Sequence, residues 1–212
     1  MYAVPHRIET ERLVLRRYVR ADAQALAIAI PRNLDHLRRY MEWAAFEPQS
    51  VEQRQDWIAD VDAKADAGED FTLGMFLRAG PGDDGELVGG TGLHVRTGPD
   101  RLAIGYWIDA DRQGRGLVTE TCAALTRVAL ELAGADVVEI SHAPSNHRSA
   151  AVPERLGFHR QLTSGEQCFD SDGKEPAVSW FATREDLAHE PLSSAVRPRA
   201  FGADGAELPW PA

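Results

Sequence analysis

Leu102-Ala-Ile-Gly-Tyr-Trp-Ile108, followed by Asp111-Arg-Gln-Gly-Arg-Gly-Leu-Val-Thr119, is the stretch that decides the fold. The first segment is rich in β-branched and aromatic residues and bounded by turn formers, the composition of a strand. From Val118 to Leu132, Leu125, Val128, Ala129 and Leu132 recur at helical spacing, and Gly134 is placed to cap that helix at its C-terminus. The order is therefore strand, glycine-containing turn, helix. Such a turn aims the backbone N–H groups of Gln113, Gly114, Arg115, Gly116, Leu117 and Val118 towards one spot, and the helix N-terminus adds partial positive charge. Together they make an anion site suited to phosphate.

Glycines in a turn are not specific by themselves, because a plain strand-to-helix turn uses them too. No Gly-Lys-Ser/Thr follows, which excludes a Walker loop, and the G-x-G-x-x-G spacing of a dinucleotide fold is absent. The spacing Gln113-Gly-Arg-Gly116-Leu-Val118 resembles the Q-x-x-G-x-G/A signature of the GCN5-related N-acetyltransferases (GNAT). Val118 departs from the small residue expected last. The ribosomal-protein N-terminal acetyltransferase (RimJ/RimL-like) branch often carries a larger residue there. Ile104-Gly-Tyr-Trp-Ile-Asp109 resembles that branch's G-Y-W-hydrophobic-D strand, and Asn146-His-Arg-Ser149 with Leu156-Gly-Phe158 resembles its N-x-x-S…L-G-F block. The opening Ile8-Glu-Thr-Glu-Arg-Leu-Val-Leu-Arg16 is similar to the family's T-E-R-L-x-L-R start. The resemblance covers residues 8 to 183.

It implies an acetyl-CoA-dependent N-acetyltransferase acting on a primary amine, by direct attack in a ternary complex. The turn would hold the pyrophosphate, with Gly114 and Gly116 permitting close approach and Arg115 adding charge. The backbone of Trp107, Ile108 and Asp109 would pair with the pantetheine amides as an added strand. Asn146 and Ser149 would lie by the pantetheine and the thioester sulfur, though Asn146 and Ser149 also fit the opening of a helix. Arg148 is a candidate for the adenosine 3′-phosphate. Many members of the superfamily carry a Tyr where this chain has Pro153, which donates nothing. The branch's serine carries over to Ser149 as the acid on the thiol side. Its carboxylate base falls near Cys168, leaving Glu166 as the nearest carboxylate and His142 as the other candidate base, while His94 sits at a strand position facing core or cleft. The acceptor is a protein N-terminus or a small molecule. The missing Tyr and carboxylate motivate an alternative, an acyl-CoA-binding sensor or interaction module with a degenerate acceptor site.

Composition sets outer bounds. A chain of 212 residues, 43% hydrophobic and 26% charged, can bury a core within one domain. The net charge of −10 argues against a nucleic-acid partner and is compatible with steering a cationic acceptor. No apolar run reaches the ~20 residues of a membrane span. The start Met-Tyr-Ala-Val-Pro-His lacks a secretory pattern, and Cys122 and Cys168 do not make a disulfide framework. A reducing cytoplasm is the expectation, with no metal and with room for a homodimer.

Along the chain, alternation predicts a strand over 12–18, and periodicity predicts helices over 23–30 and 33–43. Ser50 and Gln53 form a capping box that opens a third helix ending near Gly68. Residues 71–77 and 86–95 read as a hairpin around Gly80 to Gly85, and a turn over 97–100 leads into the central strand. Trp43 and the two early helices are expected to wall the acceptor. Antiparallel strands followed by one β-α-β crossover give an α+β fold. The family implies the GNAT form of it: a mixed, splayed central sheet of seven strands flanked by helices in α/β/α layers. Residues 1–184 form the expected domain. Residues 185–212, with Pro191, Pro198, Pro209 and Pro211 and little periodicity, read as a tail, poorly ordered or else docked on a neighbour, and dispensable for cofactor binding.

Overall fold

Leu13, Val14 and Leu15 are fully buried in a four-residue strand, β2 (Leu13–Arg16), shorter than the run expected from alternation. A strand not expected, β1 (Arg7–Glu9), pairs with it antiparallel. The computed structural model describes residues 2–80, 83–96, 98, 100–161, 167–170 and 173–211. Helix α1 (Ala23–Arg32) turns Leu26, Ala29 and Ile30 inward and ends at Asn33, which starts α2 (Leu34–Tyr40). A 3-10 turn over Glu42–Phe46 leads to α3 (Val51–Asp66). There the capping box closes as its spacing predicts: Gln53 N–H donates to Ser50 Oγ at 3.2 Å, and Ser50 N–H donates to Gln53 Oε1 at 2.8 Å.

Strands β3 (Asp70–Leu77), β4 (Glu86–His94) and β5 (Arg101–Ile108) form an antiparallel meander. The turns expected around Gly80–Gly85 and over 97–100 lie partly outside the described residues. Helix α4 (Leu117–Arg127) continues as a π-helical turn, Val128–Leu132, and Gly134 follows at φ 80°. Then come β6 (Val137–His142), α5 (His147–Arg155), β7 (His159–Gln161), a hairpin of β8 (Gln167–Asp170) and β9 (Gly173–Pro176), β10 (Val178–Thr183) and β11 (Arg199–Phe201).

The main sheet runs β11-β1-β2-β3-β4-β5-β6-β10-β7, nine strands among the described residues rather than the seven the family implies. Among the described residues only β5 and β6 pair in parallel, and they do so at Arg101–Ala103 against Val137–Glu139. From Ile104 onwards they part, which is the splay. One face of the sheet packs Leu93, Leu102, Ile104 and Met75 against α4 and α5. The other packs Val14, Tyr18, Phe76 and Leu87 against α1 to α3.

The expectation of a poorly ordered tail is corrected. Strand β11 pairs with β1, placing Ala200 opposite Ile8, and Leu192 is 1% exposed with its carbonyl accepting from Arg127 Nη2 at 2.9 Å. The physical reason is an edge: β1 presents an unpaired row of N–H and C=O groups, and the tail covers it. Pro198 stands just before the paired residues, where its missing N–H removes no ladder bond.

Candidate active site

The turn after β5 is braced from outside. Gly114 and Gly116 take φ of 72° and 75°, a left-handed backbone that favours glycine. Arg12 reaches across from the start of the sheet: its Nη1 donates to Arg115 O at 2.8 Å, and its Nε lies 2.6 Å from Glu120 Oε2. Glu120 also accepts from the Arg12 N–H at 2.9 Å and from Thr10 Oγ1 at 2.6 Å. The opening Thr-Glu-Arg segment is thereby tied to the first turn of α4. The first helical bond runs from Glu120 N–H to Gly116 O at 3.0 Å. The N–H groups of Leu117, Val118 and Thr119 are thus left without an intrahelical acceptor. They open on a cavity of about 1170 Å³ whose rim carries Arg112, Arg115, Arg148 and Arg155. In a chain of net charge −10, that concentration of cations marks an anion site. Arg148 Nη1 donates to Gln113 Oε1, so the two residues hold one another across the turn.

Helix α5 opens as the sequence suggests. Asn146 Oδ1 accepts from Ser149 N–H at 3.1 Å, so Asn146 is the cap. That leaves the Ser149 hydroxyl free of capping, and it lies 2.7 Å from the Tyr106 hydroxyl. Pro153 explains a second contact. It lacks the N–H that would bond the carbonyl four residues back, that of Ser149. Tyr106 Oη supplies a substitute donor to Ser149 O at 3.3 Å. Burial pushes the Tyr106 phenol well above its ordinary range, so it stays protonated. Strand alternation puts Tyr106 on the α4–α5 side of the sheet, and that is the signal the sequence carries for it.

The backbone of β5 is only partly as expected. Asp109 N–H donates to Val88 O at 2.8 Å, and the ladder pairs Trp107 with Gly90. Antiparallel alternation therefore turns the peptide groups of Trp107 and Asp109 towards β4 and those of Tyr106 and Ile108 towards the splay. Ile108 O already accepts from His36 Nε2 at 3.1 Å. The Asp109 carboxylate is buried, and it accepts from Arg32 Nη2 at 2.8 Å, Asn33 Nδ2 at 3.1 Å and Asp111 N–H at 2.9 Å. Burial pushes its pKa up, but these bonds outweigh that and hold it below the usual carboxylate range.

A second cavity, about 930 Å³, lies between the sheet and the helices α1 to α3, with Trp43 in its wall. Trp43 meets Trp107 edge-on with centroids 6.5 Å apart. Tyr40, Met41, Tyr106, Trp107, Asn146 and Ser149 line both cavities, so the two chambers meet at Ser149. His142 also lines the second chamber, but both its ring nitrogens are engaged. Nδ1 donates to Ala143 O at 2.9 Å, and Nε2 accepts from Trp180 Nε1 at 3.0 Å. Burial lowers its pKa, the Ala143 carbonyl raises it less, and the ring stays neutral with no free lone pair. Glu166 lies outside the described residues. Among the described residues no cluster of ligands suits a metal, and no helix is long and apolar enough to cross a membrane.

Residues 12–159 match the family model described as the acetyltransferase (GNAT) domain. The chain belongs to the GNAT acetyltransferase family. It is 32% identical over 149 residues to YdaF of Bacillus subtilis (strain 168), whose name provisionally assigns it as a ribosomal N-acetyltransferase; the match covers 70% of this chain and 78% of that protein. Among solved structures, Mycobacterium smegmatis RimJ in complex with a CoA disulfide superposes at a TM-score of 0.70 with 24% identity, covering 92% of this chain and 94% of that one. RimL, the ribosomal L7/L12 α-N-protein acetyltransferase, in complex with coenzyme A, gives 0.71 and 18% over 83% and 97% of the two chains. These two likenesses show the fold alone.

A GNAT acetyltransferase takes its acetyl group from acetyl-CoA, and the first chamber of this GNAT enzyme fits that molecule. It offers free helical N–H groups and arginines for phosphates at one end and the Ser149 hydroxyl at the other. Nothing in the fold favours the alternative of a bare acyl-CoA sensor. Sequence reasoning missed the brace from Arg12 to Glu120, the hold of His36 on Ile108 O and the partnership of Tyr106 with Ser149. All three link residues far apart in the chain, which no local spacing encodes.

Proposed function

We propose that this enzyme acetylates the α-amino group of a protein or peptide N-terminus. The observation that carries it is the meeting of two large chambers at Ser149, one cationic and turn-lined, the other aromatic-walled. The second chamber, about 930 Å³, is at the upper end of small-molecule pockets, which run about 300–1,000 Å³. A cavity of that size leaves room for more than one residue of an extended segment, and Phe46, which lines it, is 74% exposed. The name of YdaF points the same way.

In this reading the donor brings an activated acetyl thioester. The N–H groups of Gly114 to Thr119 and Arg115 take the pyrophosphate, and Arg148 lies within reach of a further phosphate. Tyr106 and Ile108 present backbone groups to the pantetheine arm, with His36 yielding the Ile108 carbonyl. The arm then runs from the turn back along β5, so the thioester comes to the Tyr106–Gly105 end of the strand. Ser149 Oγ, whose proton Tyr106 Oη accepts in the free enzyme, turns that proton to the departing sulfur, and Asn146 fixes the helix that carries it.

The test is a library of short peptides differing in the first residue, alongside a panel of polyamines and aminoglycosides, assayed by thiol release from acetyl-CoA. Peptides should turn over, with a preference among first residues that N-terminal blocking abolishes. A polyamine or aminoglycoside that outpaces every peptide by tenfold in kcat/KM refutes the protein acceptor.

A further inference from the structure

An ammonium must lose a proton before it attacks, and His142 has no lone pair to offer. We propose that His94, held by Asp70, is the general base of this acetyltransferase. The proposal rests on the two-chamber reading above. His94 closes β4 and Asp70 opens β3, directly opposite one another in the ladder. Nδ1 of His94 is bonded to Asp70 Oδ1, and a carboxylate only accepts, so Nδ1 carries the hydrogen. The lone pair is then on Nε2.

Nε2 lies over two glycines. A Cβ on Gly92 would stand 2.8 Å from it and one on Gly105 2.9 Å, so either side chain would push the imidazole aside. Glycine inside a strand weakens the strand; here the ring crowds both positions, and at Gly92 the Phe71 carbonyl oxygen, 2.8 Å from such a Cβ, does so as well. Gly105 immediately precedes Tyr106, the residue that orients Ser149, and His94, Gly105 and Ser149 all line the second chamber. The parallel pairing of β5 with β6 ends at Ala103, so beside Gly105 the sheet is open, and His94 and Ser149 border one cavity there. His94 serves one face and Ser149 the other.

The charges around the pair fit a base. Burial pushes the Asp70 carboxyl up, but the bond and charge of His94, the Phe71 N–H and Arg96 outweigh it and hold it below its ordinary value. An anionic Asp70 stabilises the imidazolium that forms. Lys64 and Glu69 flank Asp70 from the end of α3 and the following turn. Arg101 on β5 lies 3.6 Å from Asp100 Oδ1 and over the Phe181 ring, and Arg54 across the chamber is ion-paired with Glu47.

The proton account balances. Nε2 takes one proton from the substrate ammonium. The freed nitrogen lone pair forms the bond to the acetyl carbon as the carbon–sulfur bond breaks. A second proton leaves that nitrogen by way of the Ser149 hydroxyl, which passes its own to the sulfur. The imidazolium returns the first proton to water.

Two variants and three measurements test this. In 15N-histidine-labelled protein without substrate, the His94 ring should show the Nδ1–H tautomer, and that preference should weaken in Asp70→Asn. With the fastest peptide of the library, His94→Gln should lower kcat/KM by about 10² to 10⁴ and remove the acidic limb of its pH profile. CoA affinity by calorimetry should be unchanged in both variants. Should His94→Gln fail to fold, the tautomer and the Asp70→Asn profile decide alone: a tautomer other than Nδ1–H, or an Asp70→Asn profile unchanged from wild type, overturns the proposal. Turnover within threefold of wild type in folded His94→Gln overturns it too, while leaving the donor chamber intact. Failure of the wild-type protein to bind CoA strikes the reading beneath it instead.

Discussion

Replacing Tyr106 by Phe removes one oxygen and separates two consequences that the structure joins. That oxygen lies 2.7 Å from Ser149 Oγ and 3.3 Å from Ser149 O. Pro153 has already taken the helical donor from that carbonyl, so Tyr106→Phe leaves it without a partner in a partly buried place. An orphaned acceptor costs about 1–3 kcal/mol, and partial exposure puts this one in the lower half of that range. For a chain of this size each kcal/mol lowers Tm by about 2–4 °C, so a fall of roughly 2–8 °C is expected by calorimetry. The catalytic loss is separate. A positioned acid contributes about 10² to 10⁴, and a hydroxyl freed to rotate should forfeit roughly ten- to a hundredfold of kcat. Pro153→Ala divides the two, because its N–H can again bond Ser149 O. In the Tyr106→Phe background it should recover Tm without recovering kcat. The reasoning is refuted if Tyr106→Phe turns over like wild type, or if Pro153→Ala restores turnover together with stability.

Three further outcomes follow from the same contacts. Gly116→Val forces a branched side chain into φ 75° at the anion turn, and calorimetry should show at least tenfold weaker CoA binding in a protein that still melts cooperatively. Truncation after Asp186 removes Leu187, Leu192 and β11; burying one such leucine contributes about 1.5–3 kcal/mol, so the cooperative transition should vanish or drop by more than about 10 °C. His142 has a folded pKa below its unfolded value near 6.5, so below that value the unfolded chain binds the extra proton and stability falls as pH falls. His142→Gln should flatten the dependence of Tm on pH between about 5 and 7, a change that thermal melts across that interval would record.

Strand alternation, helical spacing and the glycine turn were enough to read β3 to β6, α1, α3 and α4 from the sequence, because each is long enough for its period to repeat. The capping box at Ser50 was legible for the same local reason. Strands β1 and β11 were not: a three-residue strand has no period, and its existence depends on an edge supplied by residues nearly two hundred positions away. At the site, Gln113 to Val118 and Asn146 to Ser149 could be read because their spacing is itself the signal. Tyr106 was visible as a strand residue, but its hydroxyl gains a role only from Pro153, forty-seven positions later. His142 looked eligible as a base until Trp180 filled its free nitrogen, a partner on a strand that pairs with its own.

The chemistry concentrates on β5 because one strand open along an edge offers three distinct surfaces. Its side chains alternate, so Tyr106 packs on the side of α4 and α5 while Trp107 packs on the side of α1 to α3. Its peptide groups alternate as well, so those of Tyr106 and Ile108 face the splay while those of Trp107 and Asp109 hold β4. A slip of one residue would exchange every assignment at once. The register therefore has to be fixed where the ladder ends, and it is fixed at Asp109. Arg32 and Asn33, at the junction of α1 and α2, grip its carboxylate, and Asn33 Oδ1 also accepts from Ala110 N–H at 2.8 Å. The grip ties α1 and α2 to the strand that leads into the Gln113–Val118 turn. On the proposed two-chamber reading, the aspartate of the strand motif serves the reaction without touching either substrate: it holds the two chambers to one register, so that an amine in one meets the acetyl group in the other.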